Sequence, residues 1–243
     1  MRKEDLVILI PFAGGSAYHF APLEKEISKF SDVKVLEYPG RGRRFDEALL
    51  NDCAAIADDL YDVITPILGN YRRYYIFGHS MGTQVGLLLI RKMAAAGIPL
   101  PATFFVSGKG GPSKPINRAT YLLPPSEFRE ALKTLGGTPK EVLENDDFMQ
   151  FFEPIMRADF QAAETFQYKS HKKLNLPIVG LYGTADELVS DDMDLWQLET
   201  TEMIQLFEFA GNHFFIFDHV DEICSIIESV VTKSKYQRVN IAE

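Results

Sequence analysis

Six short apolar runs, separated by helical patterns, limit what this chain can become. They lie at Val7–Ile10, Lys34–Leu36, Tyr74–Phe77, Thr103–Val106, Ile178–Tyr182 and Ile204–Phe209. Runs that stay apolar without alternation read as strands buried on both faces, the signature of a parallel sheet. Between them, Ile56, Leu60, Val63, Ile64 and Ile67 recur at helical spacing, as do Val220, Ile223, Ile226, Ile227 and Val230. The segment after Tyr74–Phe77 is apolar on most faces up to Gly97, a C-terminal cap. Such alternation predicts an α/β fold with a mostly parallel, doubly wound sheet. With 243 residues, one domain spanning 1–243 is expected.

The alternation fails between about residues 113 and 174, which read as short helices without a strand. Thr138–Glu141 ("TPKE") has the form of a capping box with proline at the first helical position. Phe128, Leu132 and Leu135 share a face that stops at Gly136-Gly137, and a later aromatic helix meets an interruption at Pro154. This insertion is expected to be a helical lid. Its residues Phe148, Phe151, Phe152, Met156 and Phe160 are expected to wall an apolar chamber or to pack the lid on the core.

Composition removes several classes of function. The net charge of −9 argues against a nucleic-acid binder, which needs dense Lys/Arg to neutralise phosphate. No apolar run approaches a membrane span, so a soluble, cytoplasmic protein is expected, and a monomer. Cys53 and Cys224 lie far apart and suggest neither a metal site nor a disulfide framework. No metal and no cofactor is expected.

The sequence "GHSMG" at Gly78–Gly82 joins the third strand to the helix after it. It fits G-x-S-x-G, in which a strained strand-to-helix turn lifts a serine hydroxyl out of the sheet. By itself this pattern arises by chance in roughly one chain in ten of this length, given residue usage. A strand before it and a helix after it are the flanks that the motif demands, and they make Ser80 the candidate nucleophile. A serine needs a base. Of the five histidines, His79 lies inside the elbow and His19 and His171 in a loop and the lid. His213 follows the last strand, at the carboxyl end of the sheet, whereas His219 opens the final helix. His213 is therefore the candidate base. Asp186, after the fifth strand, is the candidate acid, with Glu187, Asp191 and Asp192 as rivals. The order Ser, Asp, His is that of an α/β-hydrolase. Two donors must hold the tetrahedral oxyanion. The amide of Met81 is one, and the loop Ile10–Ala17 ("IPFAGGSA") supplies Ala13 or Phe12 as the other. That loop lacks the G-x-G-x-x-G of a dinucleotide cradle and the lysine of a P-loop.

With these residues in view, the chain resembles the type II (external, editing) thioesterases of nonribosomal peptide and polyketide biosynthesis. The resemblance covers nearly the whole chain: "PFAGGSA", "YPGRGRR" at Tyr38–Arg44, "GHSMG", "LGGTP" at Leu135–Pro139, "RADF" at Arg157–Phe160, and "GNHFFIF" at Gly211–Phe217. It implies the α/β-hydrolase fold, a triad of Ser80, Asp186 and His213, and oxyanion donors at Met81 and Ala13. It also implies hydrolysis of acyl or aminoacyl thioesters on the phosphopantetheine arm of acyl or peptidyl carrier protein domains. Thr83 and Lys109 depart from the family's pattern, which expects a tiny residue and an arginine. An acyltransferase of the same fold is the alternative, with a non-catalytic binding protein and a small-ester hydrolase as further rivals. If an acidic chain is to meet acidic carriers, a local basic surface is required. Arg41, Arg43 and Arg44 form one candidate, unless they are structural, and Lys109, Lys114 and Arg118 another.

Overall fold

The computed structural model describes residues 3–189 and 192–236. Its six strands are β1 (Lys3–Ile10), β2 (Asp32–Val35), β3 (Tyr71–His79), β4 (Phe104–Ser107), β5 (Ile178–Gly183) and β6 (Gln205–Phe209). They form one sheet in the order β2-β1-β3-β4-β5-β6, parallel at every pairing. Each of the six expected runs is thus a strand. β1 starts earlier than its apolar run because Lys3 and Asp5 continue the register with Tyr71 and Arg73 of β3.

The inner strands β1, β3, β4 and β5 are apolar where both their faces are covered, whereas the edge strands β2 and β6 stay partly exposed. Leu6, Ile8 and Ile10 point into one core, beneath α2 (Cys53–Leu68) and α3 (Met81–Ala95), with Ile56, Leu60, Val85 and Leu89. Val7 and Leu9, one residue out of phase, point into a second core beneath α1 (Ala21–Ile27) and α8 (Val220–Tyr236), with Leu23, Ile27, Ile223 and Ile227. Alternate residues facing opposite ways follow from the period of two in a strand. Asp52 caps α2 by accepting from the amides of Ala54 and Ala55. Gly97 ends the α3 turn at φ +72°, a left-handed conformation that suits glycine.

Between β4 and β5 lie α4 (Pro125–Leu135), α5 (Lys140–Leu143) and α6 (Asp146–Glu164). They close a small core of their own from Phe128, Leu132, Leu143, Met149 and Met156. Two local expectations need correction. The capping box at Thr138–Glu141 does not form. Pro139 is extended (φ −57°, ψ 142°) and precedes the first helical residue, and its carbonyl accepts from Val142 and Leu143 instead. Nor does Pro154 interrupt its helix, since α6 runs through it for 19 residues. A proline removes one amide bond and crowds one turn, and here the flanking turns are held by packing of Met149, Ile155 and Met156. Among the described residues no helix is long and apolar enough to cross a membrane. Cys53 and Cys224 are buried and free.

Candidate active site

Ser80 sits between β3 and α3 at φ +53°, ψ −117°, alone among the described non-glycine residues in having positive φ. The neighbouring glycines explain how the turn is tolerated. A Cβ on Gly78 would lie 2.4 Å from the Gly82 carbonyl oxygen, and a Cβ on Gly82 would lie 2.3 Å from that of Ile10. The elbow is therefore pressed against itself and against the end of β1. The Ser80 amide donates to the Ser107 carbonyl at 2.8 Å, tying the strained residue to β4.

Asp186 and His213 come from the loops after β5 and β6, and those loops interlock. Thr184 donates to the Phe209 carbonyl at 2.8 Å and Ala185 to that of Gly211 at 2.8 Å. A Cβ on Gly183 would meet the carbonyl oxygens of Gly211 and Asn212 at 2.6 Å. This close contact fixes the separation of the two side chains. His213 Nδ1 lies 2.8 Å from Asp186 Oδ2, so the Nδ1–H tautomer donates to the carboxylate and leaves Nε2 as the basic nitrogen. The other carboxylate oxygen accepts from the Leu188 amide at 2.9 Å. Both residues are buried. Of the rival acids, Glu187 is exposed, Asp192 pairs with Lys114, and Asp191 lies outside the described residues.

His79 lies behind this pair, fully buried, with its ring centroid 5.0 Å from that of His213 and Nδ1 3.0 Å from Ser107 Oγ. Burial first, then the neighbouring His213, push it well below the usual histidine value of 6.5, so it is neutral. Gly108 makes room for both rings, since a Cβ there would lie 2.5 Å from His79 Cε1 and 3.3 Å from His213 Cε1. His219, the other late histidine, follows the short helix α7 (Phe215–Asp218) and bonds the Ala210 carbonyl at 2.8 Å near the start of α8.

The Ile10–Ala17 loop is anchored at nearly every residue. Tyr38 Oη donates to the Pro11 carbonyl at 2.6 Å, and Gly15 donates to the Phe12 carbonyl at 2.9 Å. The amides of Gly14, Ser16 and Ala17 donate to Asp159 Oδ2, His19 Nδ1 and Glu37 Oε1. With these amides engaged, those of Phe12 and Ala13 remain as the loop's candidate oxyanion donors, and Met81 is the first residue of α3. The carboxylate that grips Gly14 belongs to α6 and is itself held by Arg41, whose Nη1 also reaches the Gly15 carbonyl at 3.2 Å. Sequence reading did not find Asp159. Its "RADF" context was the only local signal.

A chamber of about 570 Å³ opens over Ser80, lined among others by Ala13, Asp186, His213, Phe160 and Lys109. Of the five residues expected as its walls, only Phe160 faces it. Met156 is buried in the lid core against Gly14. Phe148, Phe151 and Phe152, near the start of α6, are 48%, 48% and 39% exposed and do not line it. The expected basic surfaces also change. Arg41 is buried, and Arg44 is bonded to Asp59, Glu47 and the Glu37 carbonyl, which is the structural role. Lys109 faces the chamber instead of the exterior.

A model of the thioesterase domain family matches residues 6–231. The chain belongs to the thioesterase family. This type II thioesterase is 32% identical to the linear gramicidin dehydrogenase LgrE of Brevibacillus parabrevis, over 95% of the chain and 90% of LgrE. LgrE carries a dehydrogenase's name, but the present chain lacks the G-x-G-x-x-G turn of dinucleotide sites. Its fold matches BorB, the type II thioesterase from the borrelidin biosynthetic cluster, with a TM-score of 0.84 and 31% identity over 95% of each chain. It also matches ClbQ from the colibactin NRPS/PKS pathway, with a TM-score of 0.87 and 29% identity over 95% of this chain and 98% of ClbQ. The thioesterase thus has the α/β-hydrolase fold that its strand order and lid describe.

Proposed function

We propose that this thioesterase releases acyl or aminoacyl groups from the phosphopantetheine arm of carrier domains, in nonribosomal peptide or polyketide synthesis, through an acyl-Ser80 intermediate. The observation that carries this reading is the His213–Asp186 bond of 2.8 Å beside the strained Ser80, all three on one lidded chamber. His213 Nε2 takes the Ser80 proton as Oγ bonds to the thioester carbon. The oxyanion is held by the Met81 and Ala13 amides. Collapse breaks the C–S bond, and the thiol leaves with the proton from His213. A thiol of pKa about 8.5 is a good leaving group. Water, deprotonated by His213, then attacks the acyl-serine, and the carboxylic acid departs as Ser80 recovers its proton. Asp186 holds the imidazole tautomer and stabilises the imidazolium. The pathways named for BorB and ClbQ support carrier-bound substrates.

The test is a panel of release rates. Acyl- and aminoacyl-loaded carrier proteins are compared with the same groups on a small thiol, with and without an added alcohol or amine. Free acid from carriers at higher kcat/KM than from the small thiol is expected. Ester or amide as the main product would instead assign an acyltransferase.

A further inference from the structure

Two cations on the chamber wall have no part in this chemistry. Lys109 follows Gly108, the residue pressed against the His213 ring, and its carbonyl is fixed by Trp196 Nε1 at 2.8 Å. Its side chain lines the same chamber as Ser80, as does Arg118. Among the described residues neither Lys109 nor Arg118 forms an ion pair or a side-chain hydrogen bond, whereas Lys114 between them pairs with Asp192. The chamber's carboxylates are differently placed. Asp186 is taken up by His213 and Leu188, Glu164 accepts from the Tyr121 amide at 3.3 Å, and Glu187 is exposed. Burial, and less strongly the charge of Arg118, lower the pKa of the Lys109 ammonium, while Cys53, Glu164 and Asp186 act on it in the opposite direction.

A partly desolvated ammonium without a partner is costly. It would also be a poor wall for a purely hydrocarbon chain. An anion entering the chamber would relieve both the desolvation and the repulsion from Arg118. We infer that Lys109, with Arg118 nearer the exposed side, forms an anion site that takes a carboxylate carried on the acyl group of the thioester. The phosphodiester of a carrier arm is the other anion such a substrate brings. It lies at the far end of the arm from the thioester, whereas Lys109 stands one residue from the glycine that abuts His213. The inference rests on the thioesterase reading above and narrows its substrate class.

The test uses thioesters of N-acetylcysteamine, which has no phosphate, bearing either a succinyl or a butyryl group. Equilibrium binding to the Ser80→Ala protein is measured beside kcat/KM of the otherwise unmodified enzyme. Lys109→Met should weaken succinyl binding and lower succinyl kcat/KM by about tenfold, the value of a charge-assisted bond. Butyryl values should stay within about twofold, and Lys109→Arg should restore the succinyl preference. Equal losses on both substrates, or none, would overturn the inference. So would a charge effect seen only when the thiol is phosphopantetheine, which would assign the cations to the arm's phosphate. A succinyl binding preference without turnover of either compound would support the anion site while contradicting the thioesterase mechanism. Turnover of both without preference would do the reverse.

Discussion

Arg41 and Asp159, 118 positions apart in the chain, form a bidentate ion pair whose side chains are 5% and 0% exposed. The pair joins α6 to the Ile10–Ala17 loop, which carries the proposed oxyanion donor Ala13, because the same carboxylate accepts from Gly14 at 2.7 Å. Removing one partner leaves a buried charge without compensation. Asp159→Ala should therefore cost about 3–5 kcal/mol of stability. It should also free the loop that carries Ala13 and reduce kcat by about a hundredfold. Denaturant titration and binding of a tetrahedral boronate inhibitor would check the two parts. Loss of stability without loss of boronate affinity would limit Asp159 to holding the fold.

Gly82 separates a packing requirement from ordinary glycine flexibility. Gly82→Ala places a methyl group 2.3 Å from the Ile10 carbonyl oxygen, so the elbow and the oxyanion loop must part. A loss of about 1–3 kcal/mol is expected, together with most of the activity. Gly69 has φ −60° and open space around its Cβ position, so Gly69→Ala should be neutral or stabilise by about 0.4–1 kcal/mol. Melting curves and single-substrate kinetics on the two variants suffice.

The aromatics of α6 divide into exposed ones near its start and a chamber-facing one, Phe160, further along. Phe160→Ala should change acyl chain-length preference, because Phe160 lines the chamber, and should lower stability because its ring packs edge-on against Phe128 at 5.7 Å. Phe148→Ala, at an exposed position away from the chamber, should alter stability by less than about 0.5 kcal/mol and leave preference unchanged. A chain-length series run on both variants checks this, and a shift in preference in Phe148→Ala would contradict the assignment.

His79 links stability to pH. It stays neutral in the folded protein but is protonated in the unfolded chain below about pH 6.5. The unfolded state then binds more protons, so stability must fall as pH drops through that value. The slope is at most about 1.4 kcal/mol per pH unit for each such histidine. His19, lowered chiefly by burial, acts in the same direction. Unfolding free energies between about pH 5 and 7 should show this decline, and His79→Gln should flatten it. An unchanged slope would mean that His79 titrates normally.

The sheet was legible because its inner strands are buried on both faces, so that Val7–Ile10 or Ile178–Tyr182 had to be apolar throughout. The loops that carry Asp186 and His213 were legible for a related reason: they follow strands at the same end of a parallel sheet. The lid was harder. Phe152 lies three residues after Met149 and four before Met156, yet it is exposed and they are buried, and nothing local says which residues of that face are covered. The Arg41–Asp159 pair was not legible, because its partners are 118 positions apart and meet only where α6 packs on the loop after β1. Lys109 was read as exterior for the same reason: chamber-facing and solvent-facing lysines share one local pattern.

The central claim is that Ser80 carries the acyl group between thiol and water. Intact-protein mass spectrometry after rapid acid quenching, with an acyl thioester in excess, tests it most directly. The wild-type protein should gain the mass of one acyl group within a turnover, localised to the peptide containing Ser80. His213→Ala should acylate about a million-fold more slowly, and Asp186→Asn about ten-thousandfold more slowly. Ser80→Ala should form no adduct and release no acid. Turnover by Ser80→Ala, or an adduct on any other residue of the wild-type protein, would contradict the mechanism.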